Sequence, residues 1–343
     1  MCTLLLLQLL AGASVSSAAR GAAPGCFSVP TWNTSDVQVR SGIVYGSAYN
    51  NFTKREQQLT LDLYTPPVSD TRTRRPAFVL VHGGAFVGGS STSDGEPDLA
   101  RALVTHGFVV ASINYRLTGS YWGVEKYFPG SGGTCCPGTQ SDQYAFDGAH
   151  DAKAAVRFLR LRAGDWAIDP DRIGMGGDSA GAFTTLFASY VRGVGEGSSG
   201  TPGVNSSVAV ALSISGELAM YHMCKSIVDA NTTHPKVSNC VQGSWNHTDD
   251  IGWPAPGSMV QQPPLCMVHG TADTTVPYQQ ALRMQARAEQ TGLANRMITI
   301  LGGGHVPMAQ LLQEPENMGA LLDFVSDAMR LEEVPYECPG RIH

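Results

Sequence analysis

This 343-residue chain is short of charge: Lys, Arg, Asp and Glu make up 15% of it, against about 25% in an average globular domain. It has no run of Lys or Arg, and its formal net charge is −6. A polyanion finds no basic patch here, so nucleic acid is not an expected partner. No segment reaches 18 consecutive apolar residues, which excludes a stable membrane-spanning helix from the expectation. There is no C-x₂-C pair and no H-E-x-x-H, so neither a zinc site nor a catalytic metal is expected, and no cofactor. Disorder needs few apolar residues, and 43% here are hydrophobic, enough for a large core. Glycine is plentiful, at 39 residues, and it clusters at a few turns.

The N-terminus reads MCTLLLLQLLAGASVSSAAR. The apolar run from Leu4 to Ala13 has the length of a signal-peptide core, and small residues follow it. Residues 1–22 are therefore expected to be a signal peptide and 23–343 one domain. Five of the ten asparagines, Asn33, Asn51, Asn205, Asn231 and Asn246, begin N-x-[ST] triplets. Five such acceptors behind a leader point to a secreted, glycosylated protein. Of eight cysteines, Cys2 leaves with the leader and Cys266, in the apolar run PLCMVHG, reads as a buried free thiol. Cys26, Cys135, Cys136, Cys224, Cys240 and Cys338 remain for up to three disulfides, in any of about 15 pairings. Cys224–Cys240 would close the shortest convenient loop.

Strand and helix patterns alternate along the chain. Residues 57–65, 78–81, 108–113, 172–175, 208–214, 265–268 and 297–301 read as strands. Residues 145–163, 180–190, 276–290 and 306–330 read as helices. The expected fold is a mostly parallel, twisted α/β sheet flanked by helices, which binds ligands at the carboxyl ends of its strands. Two long stretches break the alternation, near 117–144 and 217–262. They are expected to be insertions overhanging those strand ends.

The glycine-rich turns fall just after expected strands. Gly177-Asp178-Ser179-Ala180-Gly181 matches G-x-S-x-G between a strand and a helix, where a sharp turn lifts the Ser hydroxyl above the sheet. His82-Gly83-Gly84-Ala85-Phe86 ends an earlier strand. Its small residues let the amides of Gly84 and Ala85, with that of Ala180, converge on a developing oxyanion. A serine nucleophile needs a base, and the base an orienting carboxylate. His305, in GGGH after the last strand, is the expected base. Asp273, in HGTAD after the preceding strand, is the expected acid in preference to Asp249 and Asp250, which lie inside an insertion. The chain order Ser179, Asp273, His305 is the one this arrangement uses. Asp178 is expected to hydrogen-bond beside the nucleophile, His82 to anchor its loop and His269 to support the acid loop. His106 and His150 read as structural; His222, His234 and His247 fall in the second insertion.

The runs HGGAF, NYRL at 114–117, DAKAAVRFLR at 151–160, IDPDRIGMGGDSAG at 168–181, HGTAD at 269–273 and GGGH at 302–305 resemble the α/β-hydrolase fold. Within it they are similar to the carboxylesterase/lipase group, including hormone-sensitive-lipase-like and bifunctional acetyl/feruloyl esterases, over about residues 40–330. That resemblance implies a carboxylic ester hydrolase with Ser179 as nucleophile, His305 as base, Asp273 as acid and an acyl-enzyme intermediate. The family's usual third loop glycine is Ala85 here, where a positive φ would be costly. A lipase or amidase on the same three residues, or a non-catalytic binding module on the same fold, are the alternatives. Phe86, Tyr121 and Trp122, with Trp245 and Trp253, are candidate pocket walls. The expected partner is a small-molecule or polysaccharide-linked ester; no oligomeric state follows from the residues.

Overall fold

A computed structural model describes residues 27–93, 95–117, 139–191, 193–218, 250–252 and 262–333, with side chains from residue 146 onward in the helix that starts at 139. The expected leader, most of the two expected insertions, Tyr121, Trp122, Trp245, Trp253 and every cysteine except Cys266 lie outside the described residues.

Eight described strands form one sheet in the order β1-β2-β4-β3-β5-β6-β7-β8. They are β1 (Gln38–Asn50), β2 (Arg55–Thr65), β3 (Arg75–Val81), β4 (Val109–Asn114), β5 (Ile168–Asp178), β6 (Ala211–Ile214), β7 (Leu265–Gly270) and β8 (Asn295–Ile300). β1 and β2 pair antiparallel, as do β2 and β4, and every other neighbour is parallel. A parallel strand covered on both faces needs apolar residues on both, and all seven residues of β3 are buried.

Alternate residues of these strands feed two core layers. Phe78 and Leu80 face a layer that includes Leu99, Leu103 and Val104 of α1 (Glu96–Thr105) and Leu321 and Val325 of α6 (Pro315–Met329). Val79 and Val81 face the other layer, with Ala152, Val156 and Leu159 of α2 (Thr139–Leu161). Phe183, Leu186 and Phe187 of α3 (Ala180–Tyr190) continue that second layer, and Met284 and Ala288 of α4 (Tyr278–Thr291) join them. Burying these side chains at about 25 cal/mol per Å² supplies most of the force that holds helices to sheet.

Three differences from the sequence expectation have physical causes. β1 was not apparent, because its alternation is broken by register shifts between Arg40 and Ile43 and between Val44 and Gly46. Its outer residues Val39, Val44 and Tyr49 are exposed. α1 was not apparent either: only four apolar positions, Leu99, Ala100, Leu103 and Val104, mark its buried face, and Pro97 stands in its first turn. The expected helix over 306–330 is two helices, α5 (Met308–Gln313) and α6, with Glu314 extended between them. Pro315 has no N–H to continue α5, and its ring disfavours a helical residue before it.

Candidate active site

The site lies where β3, β5, β6, β7 and β8 end. β5 runs straight into the turn that carries Ser179, and α3 starts at the next residue. Ser179 has φ +46° and ψ −119°, a region that costs a non-glycine residue about 1–3 kcal/mol. The surroundings hold it there: its N–H donates to Ile214 O at 2.9 Å, and its carbonyl accepts Phe183 N–H at 3.0 Å. The flanking glycines leave room for β3. A Cβ on Gly181 would lie 1.8 Å from Val81 O, and one on Gly177 2.3 Å from the same atom.

The Ser179 hydroxyl is 2.9 Å from His305 Nε2. His305 Nδ1 is 2.9 Å from Asp273 Oδ2. The structure thus joins in one hydrogen-bonded chain three residues that lie far apart in sequence. The acid beside His305 is Asp273, from the turn after β7, and not Asp250. Asp273 Oδ1 accepts the N–H groups of Thr275 and Val276, both at 2.9 Å. Burial pushes this carboxyl up, but hydrogen bonds from His269, His305 and Val276 and the field of His305 outweigh it. The result is a carboxylate held well below its ordinary range. His269, wholly buried, has Nε2 at 2.8 Å from Val276 O and 3.2 Å from Asp273 Oδ2.

The turn after β3 packs directly on the serine. A Cβ on Gly83 would sit 3.2 Å from Ser179 Cβ, and Gly83 N–H donates to Asp178 Oδ1 at 3.0 Å. Gly84, Ala85 and Phe86 all have positive φ, at +102°, +51° and +64°. The strained position that the sequence made costly at Ala85 is therefore occupied. Among the described residues, the amides of Gly84, Ala85 and Ala180 have no hydrogen-bond acceptor. Unpaired amides beside a serine at a helix N-terminus suit an anion. His82 Nδ1 is 2.7 Å from Gly83 O, and its ring stacks on Tyr115 at 4.6 Å. The Tyr115 hydroxyl donates to His82 O at 3.1 Å. These contacts fix the root of the turn. Phe86 is half-buried, its ring edge-on to Phe183 at 6.3 Å; the other expected walls lie outside the described residues.

Sequence reasoning missed the stretch after β6. Ser215, at φ +53°, donates its N–H to Val268 O at 2.9 Å. Its hydroxyl accepts Val306 N–H at 3.0 Å, so it tethers the residue after His305. Glu217 is wholly buried, and among the described residues neither of its carboxylate oxygens has a hydrogen-bond partner. Burial pushes its carboxyl well up, Arg283 pulls it down and Asp273 pushes it up again. The signal available was a strand end, Ser-Ile-Ser-Gly-Glu, with polar residues in a core position. His106 and His150 lie elsewhere: His106 Nδ1 is 2.9 Å from Phe27 O at the end of α1, and His150 is on α2. Among the described residues no group of three His, Cys, Asp or Glu could hold a metal, and no helix is long and apolar enough to cross a membrane.

Mostly parallel strands, helices on both faces and a strand-turn-helix serine define an α/β-hydrolase. The chain belongs to the carboxylesterase family, whose model matches residues 17–191; a second family model, BD-FAE, matches residues 140–288. Carboxylesterase 3B of Mus musculus is 33% identical over 142 residues, 40% of this chain and 21% of that protein. A probable isoprenylcysteine alpha-carbonyl methylesterase of Arabidopsis thaliana is 24% identical over 309 residues, 86% of this chain and 56% of that one. The chain thus spans about a fifth of the first relative and little over half of the second. A solved structure, a truncated form of carbohydrate esterase from gut microbiota, has a TM-score of 0.58 and 23% identity. It covers 88% of this chain and all of its own, a likeness of fold.

Proposed function

We propose that this protein is a secreted serine hydrolase that cleaves carboxylic esters through Ser179, His305 and Asp273. The observation that carries the reading is the unbroken hydrogen-bonded chain from the Ser179 hydroxyl through His305 to Asp273. His305 Nε2 takes the hydroxyl proton as Ser179 Oγ bonds to the ester carbonyl carbon. The amides of Gly84, Ala85 and Ala180 receive the oxyanion, each worth about 3–4 kcal/mol in such a site. The C–O bond to the alcohol then breaks, and His305 returns the proton to the leaving oxygen. Water repeats the sequence on the acyl-enzyme and releases the acid. The ionised Asp273 orients His305 and balances its charge throughout.

Family membership supports ester substrates, and the fold likeness to a carbohydrate esterase makes acylated saccharides a class to test. Phe86, at the mouth of the oxyanion turn, is proposed as a wall of the acyl pocket. The leader and the acceptor triplets support secretion; Asn33, Asn51 and Asn205 are all exposed, as glycosylation requires. The test expresses the chain through an oxidising secretory route and compares it with Ser179→Ala. Initial rates on p-nitrophenyl acetate, octanoate and palmitate, methyl ferulate, acetylated xylan and an anilide decide the class. Ester hydrolysis that falls by at least about 10⁴-fold in the variant is expected. Hydrolysis that survives Ser179→Ala refutes the mechanism, and cleavage of the anilide alone makes the protein an amidase.

A further inference from the structure

Asp273 lies between two histidines, and the proposed mechanism uses one of them. The other, His269, is on β7, four residues before Asp273, with its side chain 1% exposed. Its Nε2 is 2.8 Å from Val276 O. A carbonyl oxygen only accepts, so Nε2 carries a proton whatever the state of Nδ1. That proton also lies 3.2 Å, nitrogen to oxygen, from Asp273 Oδ2, the same oxygen that receives His305 Nδ1–H at 2.9 Å. Oδ1 is already filled by two backbone amides. The Tyr278 and His269 rings pack edge to face with centroids 5.9 Å apart, and the Tyr278 hydroxyl is itself fixed 2.7 Å from Thr299 Oγ1.

We propose that His269 is a positioning residue of this site: by donating Nε2–H to Asp273 Oδ2 it sets the rotation of the carboxylate toward His305 and takes up part of the charge that His305 meets. The kinetic consequences rest on the ester-hydrolase reading; the hydrogen bond does not. Other titratable groups surround the carboxylate. Glu217 approaches from the segment after β6 and repels it, and Arg283 of α4 acts on Glu217. Tyr278 of α4 faces His269. Asp178 of β5 is engaged with Gly83 N–H. Among the described residues, the ion-pair partners of Oδ2 are the two histidines. Without the His269 donor, the charge on Oδ2 faces His305 alone, and His305 gives up a proton less readily. A base must lose that proton before it acts, so the acid limb of kcat/KM moves to higher pH.

The experiment compares the full chain with His269→Phe, which keeps ring bulk without a donor, and His269→Gln, whose amide N–H falls near the position of Nε2. On p-nitrophenyl acetate, His269→Phe is expected to lower kcat about tenfold with KM changed less than about twofold. Its acid limb is expected to rise by about half a pH unit. His269→Gln recovers most of kcat and returns the limb. An unchanged kcat and pH profile in His269→Phe overturns the proposal. Equal losses in both variants with the acid limb in place overturn it too, because a merely structural role gives that pattern. A second readout needs neither activity nor a folded Phe variant. In wild type labelled with ¹⁵N-histidine, the His269 Nε2–H resonance is expected to resist exchange and to shift in Asp273→Asn; a resonance that does not shift overturns the hydrogen bond. Full hydrolysis by Ser179→Ala would sink the ester-hydrolase reading while leaving this second readout decisive.

Discussion

Replacing Gly181 by alanine tests whether the nucleophile turn is as tightly built as its geometry implies. The added Cβ would lie 1.8 Å from Val81 O, 2.5 Å from Val81 C and 2.7 Å from His82 O. All three are backbone atoms, so no side chain can rotate away. Reaching even 3.0 Å from Val81 O, below which real Cβ atoms are essentially never found, requires the end of β3 and the start of α3 to separate by about 1.2 Å. Overpacking of this kind costs about 1–3 kcal/mol. At roughly 2 °C per kcal/mol, Tm falls by about 2–6 °C. The rate suffers more. Val81 leads directly into the turn bearing Gly83, Gly84 and Ala85, and Gly181 is two residues from Ser179. A displacement of about 1 Å between attacking group and oxyanion donors costs about 10²-fold. The assay is kcat/KM on p-nitrophenyl acetate at a temperature where circular dichroism finds the variant fully folded, with Tm from the same preparation. A Gly181→Ala variant with wild-type Tm and a wild-type rate refutes the argument.

Two further outcomes follow from buried groups. A carboxyl held above its unfolded value, as Glu217 is, lowers stability as pH climbs from about 4.3 toward the folded value, at up to about 1.4 kcal/mol per unit. Glu217→Gln removes that titration, so its urea midpoint is expected to exceed wild type at pH 7 and to match it near pH 4; equal midpoints at both pH values refute the burial argument. Burial pushes the Cys266 thiol up to about 12, and the thiolate is the reactive form. Iodoacetamide at pH 8 is therefore expected to leave Cys266 unmodified in the native protein and to alkylate it in guanidinium, as read by peptide mass spectrometry; native labelling at the denatured rate contradicts its burial.

The parts of the molecule legible in its sequence are those where one local rule acts alone. β3 reads as a strand because both its faces are covered, so its residues form one apolar run. The Ser179 turn reads as a turn because small residues must flank it. Asp273 and His305 stand out because each follows a strand in a turn that holds glycine. β1 is illegible because bulges near Gly42 and Gly46 break its period, and its exposed residues carry no burial signal. The break between α5 and α6 is hidden because apolar spacing continues across Pro315. Ser215 and Glu217 are invisible for another reason. Their importance lies in the neighbours that the fold brings to them: Val268 and Val306 for one, Asp273 and Arg283 for the other. No window of sequence contains those pairs.

The three residues of the proposed reaction are held in register by chain segments that lie far apart in sequence. Ser179 and His305 are 126 positions apart, and His305 and Asp273 are 32 apart. Ile214 O and Ser215 Oγ, on adjacent residues at the end of β6, hold the serine on one side and the residue after the histidine on the other. Contacts of such separation cost loop-closure entropy before they return any energy, and parallel strands form them slowly. On the proposed reaction, hydrolytic rate is therefore expected to be a clock for the whole carboxyl-terminal half of the sheet. During refolding it is expected to stay silent while helices and single strands come and go, and to sound only when β5, β6, β7 and β8 lie side by side.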